Sequence, residues 1–280
     1  MPTTLAYREV LPAGDPVGTL LCVHGYPESS HMWRATLDAA ARAGWRALAP
    51  DLPGYGDSPL GDPEDGAGSW ESHVAALDAF HTDLGLGPVV LCVHDWGGLI
   101  GLRWACDGPG RVSGLVISAS GFFPDGKWHG LAQTLRTPGE GEQLADGMTR
   151  EGMGAMLGAV SRMDEDAIDA CWRAYETPER RAAHLALYRS GDFEKLGPYA
   201  GRLAALGVPA LLVWGSEDPF APLAGGRRLR EELPGARLVV LEGEGHFVFD
   251  DAPALTGGLV AGFLDDVAAQ AATSGGVSGG

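Results

Sequence analysis

The chain has 280 residues, with 20 Lys and Arg against 37 Asp and Glu, giving a formal net charge of −17. Nucleic-acid binding needs a basic face and anionic membranes attract basic segments, so this acidic balance argues against both partners. Apolar residues make up 45% of the chain, which is ordinary for a globular protein and too many for a disordered one. The length predicts one core, or one core with an insertion.

Cysteine and histidine usage indicates neither disulfides nor metal. The four cysteines show no CxxC spacing, and the eight histidines include no HExxH or similarly spaced pair. The opening MPTTLAYREVLPAGDP lacks a basic segment followed by an apolar stretch, so no secretory signal is expected. No apolar run approaches the ~20 residues that a membrane span needs. We therefore expect a cytoplasmic protein without a metal or organic cofactor; nothing in the sequence indicates its oligomeric state.

Short apolar runs alternate with longer helical patterns along the chain. The predicted buried strands are Gly18–Val23, Ala47–Ala49, Pro88–Val93, Val112–Ser118, Val208–Trp214 and Ala236–Leu241. The predicted helices between them are Ser29–Ala43, Ser69–Leu84, Gly97–Asp107 and Pro222–Leu233. Near-continuous apolar strands are typical of a parallel sheet covered on both faces. The alternation predicts an α/β fold with a mostly parallel, doubly wound sheet.

Residues 121–206 interrupt this rhythm. They contain no good strand pattern, and their helical patterns are Gly141–Val160, Glu165–Tyr175 and Glu179–Arg189. We interpret them as an inserted helical cap, or lid, between two parts of a core formed by residues 1–120 and 207–268. The small residues of AQAATSGGVSGG predict a disordered tail over residues 269–280.

The stretch Val90–Gly101, VLCVHDWGGLIG, carries the strongest chemical signal. A buried strand ends at Val93, a polar pair follows, and Trp96 with two glycines opens a helix. This layout is typical of a nucleophile elbow, a strained turn that lifts one side chain to the top of the sheet. Here the apex is Asp95 rather than Ser, and a carboxylate is already ionised near pH 7. Asp95 therefore suits displacement at a saturated carbon; the alternative is an Asp that only begins a helix.

A second glycine turn, VHGYP, closes an earlier strand. In enzymes with such an elbow, a backbone N–H from this turn joins the N–H that follows the nucleophile to form an oxyanion hole. The candidate donors are the backbone N–H groups of Tyr26 and Trp96. On its own, the motif is equally typical of a simple tight turn.

Two later loops supply candidates for a general base and its partner. His246, in EGEGHF, follows the last strand in a glycine-flanked loop, which suits a base that must reach the upper edge of the sheet. Asp218, in WGSEDPF, is the preferred carboxylate to orient that histidine, since the adjacent Glu217 is one step out of phase. Asp125 is its main rival.

Taken together, these motifs resemble the α/β-hydrolase fold, and within it the Asp-nucleophile branch that holds haloalkane dehalogenases and epoxide hydrolases. The segments that carry the resemblance span nearly the whole chain: HGYPESSHMW, DLPGYGDS, HDWGG, GSEDPF and EGHF. The resemblance implies a hydrolase for a small hydrophobic substrate, with a covalent ester on Asp95. A dehalogenase is favoured, because Trp96 and Trp128 would then hold the leaving halide with their indole N–H groups.

One departure keeps an alternative open. Dehalogenases typically carry Asn or Glu where this chain has Tyr26, and the chain contains no Asn. The aromatic residue and the PES that follows it are more similar to epoxide hydrolases, for which Tyr188 would be one of two cap acids. The early cap position of the second tyrosine instead offers Trp128 and His129. The alternative for the cap aromatic residues Trp128, Trp172 and Tyr188 is a role in packing alone. A more distant alternative is a non-catalytic small-molecule binding protein on a hydrolase scaffold.

Overall fold

A computed structural model describes residues 5–61 and 66–275 of the chain and contains a seven-stranded sheet within them. The strands, in chain order, are β1 (Tyr7–Val10), β2 (Thr19–Val23), β3 (Arg46–Pro50), β4 (Val89–His94), β5 (Val112–Ser118), β6 (Ala210–Gly215) and β7 (Arg237–Leu241). Their spatial order is β1-β3-β2-β4-β5-β6-β7. All neighbours pair in parallel except β1, which runs antiparallel to β3. The predicted mostly parallel sheet is confirmed.

Opposite faces of the sheet are covered by two separate apolar layers. Leu21 and Val23 of β2 contribute to one layer, whereas Leu20 and Cys22 contribute to the other. Because successive side chains of a strand point to opposite faces, burial on both sides requires an apolar residue at every position. This explains the continuous apolar runs in the sequence. Strand β1 lacks such a run because it is an edge strand with mostly exposed residues, and the sequence prediction missed it.

The helices of the core are α1 (Arg34–Arg42), α2 (Trp70–Asp83), α3 (Trp96–Asp107), α10 (Leu223–Glu232), α11 (Val248–Asp251) and α12 (Pro253–Gly275). A 3-10 turn at Ser30–Trp33 precedes α1, where the sequence predicted one continuous helix. All four cysteines are free and buried. Among the described residues, no helix is both long and apolar enough to cross a membrane.

The stretch between β5 and β6, residues 119–209, is called here the inserted segment. Its helices are α4 (Gly130–Arg136), α5 (Glu140–Gly147), α6 (Arg150–Gly158), α7 (Glu165–Trp172), α8 (Pro178–Ser190) and α9 (Arg202–Ala205), with 3-10 turns at Arg173–Tyr175 and Phe193–Tyr199. Buried side chains of α8, among them Leu187 and Tyr188, share one apolar cluster with Val93 and Trp96 of the core. The inserted segment therefore packs directly over the carboxyl end of β4.

The end of the chain differs from the sequence prediction. Helix α12 continues through residues 269–275, where we expected a disordered tail. The stretch VAAQAAT ahead of the final glycines is rich in alanine, the residue with the highest helix propensity, and it prolongs the helix. The rest of the predicted tail, residues 276–280, lies outside the described residues.

Candidate active site

Asp95 stands at a sharp bend between β4 and α3. Its φ of 50° and ψ of −122° are strained for a residue with a side chain, as a nucleophile elbow requires. Close packing behind the bend explains the glycines that follow: a Cβ at Gly97 would lie 2.2 Å from the Val23 carbonyl oxygen, and one at Gly98 would lie 2.1 Å from Ser120 Oγ. Larger residues would therefore push the helix away from the sheet and move Asp95.

The two carboxylate oxygens of Asp95 have different surroundings. Oδ1 accepts a hydrogen bond from the Tyr26 backbone N–H at 2.9 Å, whereas Oδ2 lies 3.7 Å from His246 Nε2. The side chain remains 20% exposed, so it is accessible to a small molecule. Gly25 allows this arrangement because a Cβ there would lie 2.5 Å from Asp95 Cβ. The turn after β2 thus delivers a backbone donor directly to the carboxylate.

His246 follows β7 and is held by Asp218, which follows β6. His246 Nδ1 lies 3.0 Å from Oδ1 and 2.9 Å from Oδ2 of Asp218, in a buried pair. The same Oδ1 accepts the backbone N–H groups of Phe220 and Ala221, each at 2.8 Å. Burial raises the pKa of Asp218, but the charge of His246 and these hydrogen bonds outweigh it and hold the pKa below its usual value. Asp218 is therefore ionised and able to stabilise a protonated His246.

Asp125, the rival carboxylate, lies elsewhere. Its Oδ1 pairs with Arg228 Nη1 at 2.7 Å, and its side chain is 69% exposed. Only Asp218, of these two, contacts His246.

The elbow follows β4, the backbone donor follows β2, and the buried pair of Asp218 and His246 follows β6 and β7. This arrangement agrees with the sequence family that the chain matches. A family model of the alpha/beta hydrolase fold matches residues 18–253. The chain belongs to the α/β-hydrolase fold family. Its seven-stranded sheet and its inserted helices conform to that fold.

The similar proteins align with nearly the whole length of this hydrolase. A haloalkane dehalogenase of Mesorhizobium japonicum is 31% identical over 287 residues, which are 95% of this chain and 89% of that protein. One of Bradyrhizobium diazoefficiens is 29% identical over 294 residues, 95% of this chain and 93% of that protein. The crystal structure of a haloalkane dehalogenase from Bradyrhizobium elkani matches with a TM-score of 0.79 at 25% identity, covering 95% of each chain.

A cavity of ≈290 Å³ opens beside Asp95 of the hydrolase. Both Trp96, at the start of α3, and Trp128, in the inserted segment, line it. Their rings stack with centroids 5.3 Å apart and planes 25° apart. Trp128 is fixed on its other sides by Phe193, with centroids 4.5 Å apart, and by the Arg136 guanidinium, 5.1 Å from the ring centroid. Two indole rings are thus held rigidly within the same cavity as the carboxylate.

Tyr188, on α8, also lines this cavity and is almost fully buried. Burial, together with the charge of Asp95, raises the pKa of the Tyr188 phenol well above its ordinary value, although a hydrogen bond with Trp96 opposes the shift. The phenol is therefore protonated at neutral pH and faces both Trp96 and the carboxylate. Its ring packs edge-on against Tyr26, with centroids 5.0 Å apart.

A smaller cavity of ≈40 Å³ lies on the histidine side of Asp95. Five of its lining residues carry polar groups: Tyr26, Asp95, His129, Tyr188 and His246. The rest of its wall is apolar: Pro27, Leu131, Met156, Leu157, Val160, Phe220 and Phe247. His129, Tyr188, Phe220 and Asp95 line both cavities. Asp95 therefore lies where the two spaces meet.

Sequence reasoning missed several groups around the site. Tyr175, in a 3-10 turn of the inserted segment, forms a hydrogen bond between its hydroxyl and that of Tyr26. Glu28 pairs with His94, the residue before Asp95, through Oε2 and Nδ1 at 2.8 Å, and both side chains are buried. Glu28 in PES and His94 in the polar pair HD were visible signals for the contact between these two residues. No local sequence pattern indicated the contact between Tyr175 and Tyr26.

No cluster suited to a metal is present in the part of the chain that the structure describes: no three His, Cys, Asp or Glu side chains there are grouped to hold an ion.

Proposed function

We propose that this hydrolase converts a small haloalkane and water to an alcohol and a halide ion through a covalent ester on Asp95. The proposal is carried by the Asp95 carboxylate, which is presented at a strained elbow with one oxygen on a backbone N–H and the other facing His246. The relatives named as haloalkane dehalogenases, at 31% and 29% identity over nearly the full chain, support this chemistry.

In the first step, Asp95 attacks the halogen-bearing carbon in line with the carbon–halogen bond. A C–O bond forms as the carbon–halogen bond breaks, and the halide leaves with the electron pair. Trp96 and Trp128 line the cavity into which it departs, and their indole N–H groups are the donors proposed to hold it. Oriented donors in a site shielded from water stabilise a developing anion far better than bulk water does.

In the second step, His246 removes a proton from water, and the resulting hydroxide attacks Cγ of the ester. The Tyr26 N–H already bonds Oδ1, so this oxygen is the one expected to carry the negative charge, with the Trp96 backbone N–H as second donor. Collapse of the tetrahedral intermediate breaks the bond between Cγ and the alkoxy oxygen, and His246 returns the proton to the departing alkoxide. Asp218, 2.9 Å from His246 Nδ1, stabilises the intervening imidazolium.

The step order is tested with His246→Phe and 1-bromobutane. This variant retains the nucleophile but lacks the base, so we expect it to release about one bromide per protein molecule and to gain one butyl group in intact mass. Asp95→Asn is the matched control and should show neither change at early times. Turnover by Asp95→Asn at the wild-type rate, or a His246→Phe protein without an adduct, would contradict the proposal.

Epoxide opening is the second candidate, because Tyr188 is a protonated phenol beside Asp95. Asp95, His246 and Asp218 would keep the same roles, while Tyr188 would donate a proton to the epoxide oxygen. Parallel assays of bromide release and diol formation, with Tyr188→Phe, separate the candidates. A dehalogenase retains most bromide release in this variant, whereas an epoxide hydrolase forms diol in the wild type and loses that activity in the variant.

A further inference from the structure

His129 occupies a position that the proposed reaction does not use. It precedes α4 in the inserted segment and lines both the larger and the smaller cavity, as Asp95 does. Its ring packs edge-on against Phe220, with centroids 5.0 Å apart, and Phe220 packs in turn against His246 at 5.2 Å. These contacts fix the imidazole next to the reaction centre.

The hydrogen bonding of His129 defines which ring nitrogen carries its proton. Nδ1 accepts the backbone N–H of Ala132 at 3.3 Å, as the cap of α4. Burial lowers the pKa of His129, and the charge of His246 adds to this effect, although Asp95 and Asp218 oppose it. The ring is therefore neutral at neutral pH, with its hydrogen on Nε2. Nε2 has no acceptor among residues 5–61 and 66–275 in the structure.

The surroundings give this N–H donor a selective role. Apart from His129 itself and the polar groups of Tyr26, Asp95, Tyr188 and His246, the wall of the smaller cavity is apolar. A donor at the edge of such a cavity favours a ligand that brings an acceptor, because a hydrocarbon that displaced water from the N–H would leave it unpaired. The space of ≈40 Å³ accommodates a short substituent, such as a methoxy group.

We propose that His129 is a specificity-determining residue whose Nε2–H donates to an oxygen of the substrate, so that haloethers and other haloalkanes with an oxygen acceptor are preferred over plain haloalkanes. This assignment rests on the proposed function of Asp95. It specifies the substrate class of the same site: the halogen-bearing carbon lies at Asp95, the halogen lies towards Trp96 and Trp128, and the oxygen-bearing end lies towards His129.

The test uses two substrates of the same length, 1-bromo-2-methoxyethane and 1-bromobutane, which differ by an oxygen in place of a methylene. The readout is the ratio of their kcat/KM values for bromide release, which cancels a general loss of activity. We expect the wild type to favour the ether relative to the uncatalysed reactivity of the pair. The ratio should fall about three- to tenfold in His129→Leu, as expected for the loss of one neutral hydrogen bond.

His129→Asn separates recognition from helix capping. Asn can still cap α4, but its shorter side chain does not reach the position of Nε2. The ratio should therefore fall in His129→Asn as it does in His129→Leu. Thr134→Ala, on the same helix but outside both cavities, is the matched control and should keep the wild-type ratio. A ratio that stays at the wild-type value in both His129 variants would overturn the proposal, even if both substrates lost activity equally.

A binding measurement keeps this result separate from the proposed function. Cyclohexanone and methylenecyclohexane have nearly the same shape, but only the ketone accepts a hydrogen bond. Their affinities are measured by tryptophan fluorescence in the same four proteins. A preference for the ketone that disappears in both His129 variants supports the role of His129 even if no bromide is released, in which case only the proposed function fails. A wild type without preference in either assay overturns the inference.

Discussion

Glu28 and His94, the residue before Asp95, form a buried ion pair with Oε2 and Nδ1 2.8 Å apart. Burial lowers the pKa of His94, but the adjacent charge of Glu28 outweighs it and raises the pKa to about 9. Both ring nitrogens are therefore protonated at neutral pH, and Nε2 donates to the His246 carbonyl oxygen at 3.0 Å. The ion pair thus holds the backbone of His246, the proposed general base.

We expect Glu28→Gln to destabilise the protein by about 3 kcal/mol near pH 6.5, because it leaves a buried histidine without its counter-charge. The pKa of His94 is higher in the folded state than its ordinary value of 6.5. Its stabilising contribution is therefore complete below about pH 6.5 and is lost as the pH rises through about 9. The difference between the wild type and Glu28→Gln should shrink over this interval.

Urea unfolding at pH 6.5, 7.5 and 9 measures this difference. Glu9→Gln is a suitable control, since Glu9 forms a partly exposed ion pair with Arg46 at 2.7 Å. Such pairs contribute about 0–1 kcal/mol. A Glu28→Gln effect that stays constant from pH 6.5 to 9 would contradict the assignment of a charged His94.

Elements with a repeating local pattern were predictable from the sequence. Strand β5 has the predicted limits, Val112–Ser118, and the predicted helix over Gly97–Asp107 differs from α3 by one residue. Asp95 was recognisable because the end of the strand, the turn and the glycines that open the helix all lie within twelve consecutive residues, Val90–Gly101. The predicted helix over Gly141–Val160 is instead divided into α5 and α6, since the chain turns extended at Met148 and Thr149 caps the second helix.

Contacts made across the inserted segment were not predictable in the same way. His129 and Tyr175 meet the core only through tertiary packing, against Phe220 and Tyr26 respectively. Neither residue belongs to a motif with fixed spacing. The sequence could nominate Trp128 and Tyr188 only by resemblance, whereas the structure places both side chains in the cavity of Asp95.

Asp218→Asn should slow hydrolysis of the ester without preventing its formation. The amide cannot stabilise a protonated His246, and in serine proteases the equivalent change costs about 10⁴-fold. We therefore expect one rapid turnover of bromide release followed by a very slow steady state, as measured by rapid quench. Asp125→Asn is the control, because Asp125 pairs with Arg228 at the surface. A larger defect in Asp125→Asn than in Asp218→Asn would refute this division of roles.

Trp128→Phe should weaken halide binding while retaining an aromatic ring in the stack with Trp96. A hydrogen bond to a charged group is worth about 1.5–3 kcal/mol, so the inhibition constant of bromide should rise about tenfold or more. Trp172→Phe is the control, because this tryptophan stacks on Tyr175 and lines neither cavity. Equal bromide inhibition in wild type and Trp128→Phe would exclude Trp128 as a halide donor.

Gly191→Ala should displace the tryptophan pair by direct contact. An added Cβ would lie 2.5 Å from Trp96 Cη2 and 3.0 Å from Trp128 Cζ2, so at least one ring must move. The Gly191 carbonyl oxygen is also held by Arg136, which limits retreat of the backbone. We expect a loss of about 1–3 kcal/mol in unfolding free energy from overpacking. Bromide inhibition should weaken at the same time.

Gly197→Ala provides the comparison for Gly191→Ala. Gly197 lies in the 3-10 turn that follows, and a Cβ there would have no atom within 4 Å. This variant should therefore unfold at nearly the wild-type urea concentration and keep the wild-type inhibition constant. Gly191→Ala could instead lose stability but bind bromide as well as Gly197→Ala does. The positions of Trp96 and Trp128 would then not control the halide site. The leaving group would have to be held by another donor of the same cavity, such as the Tyr188 hydroxyl.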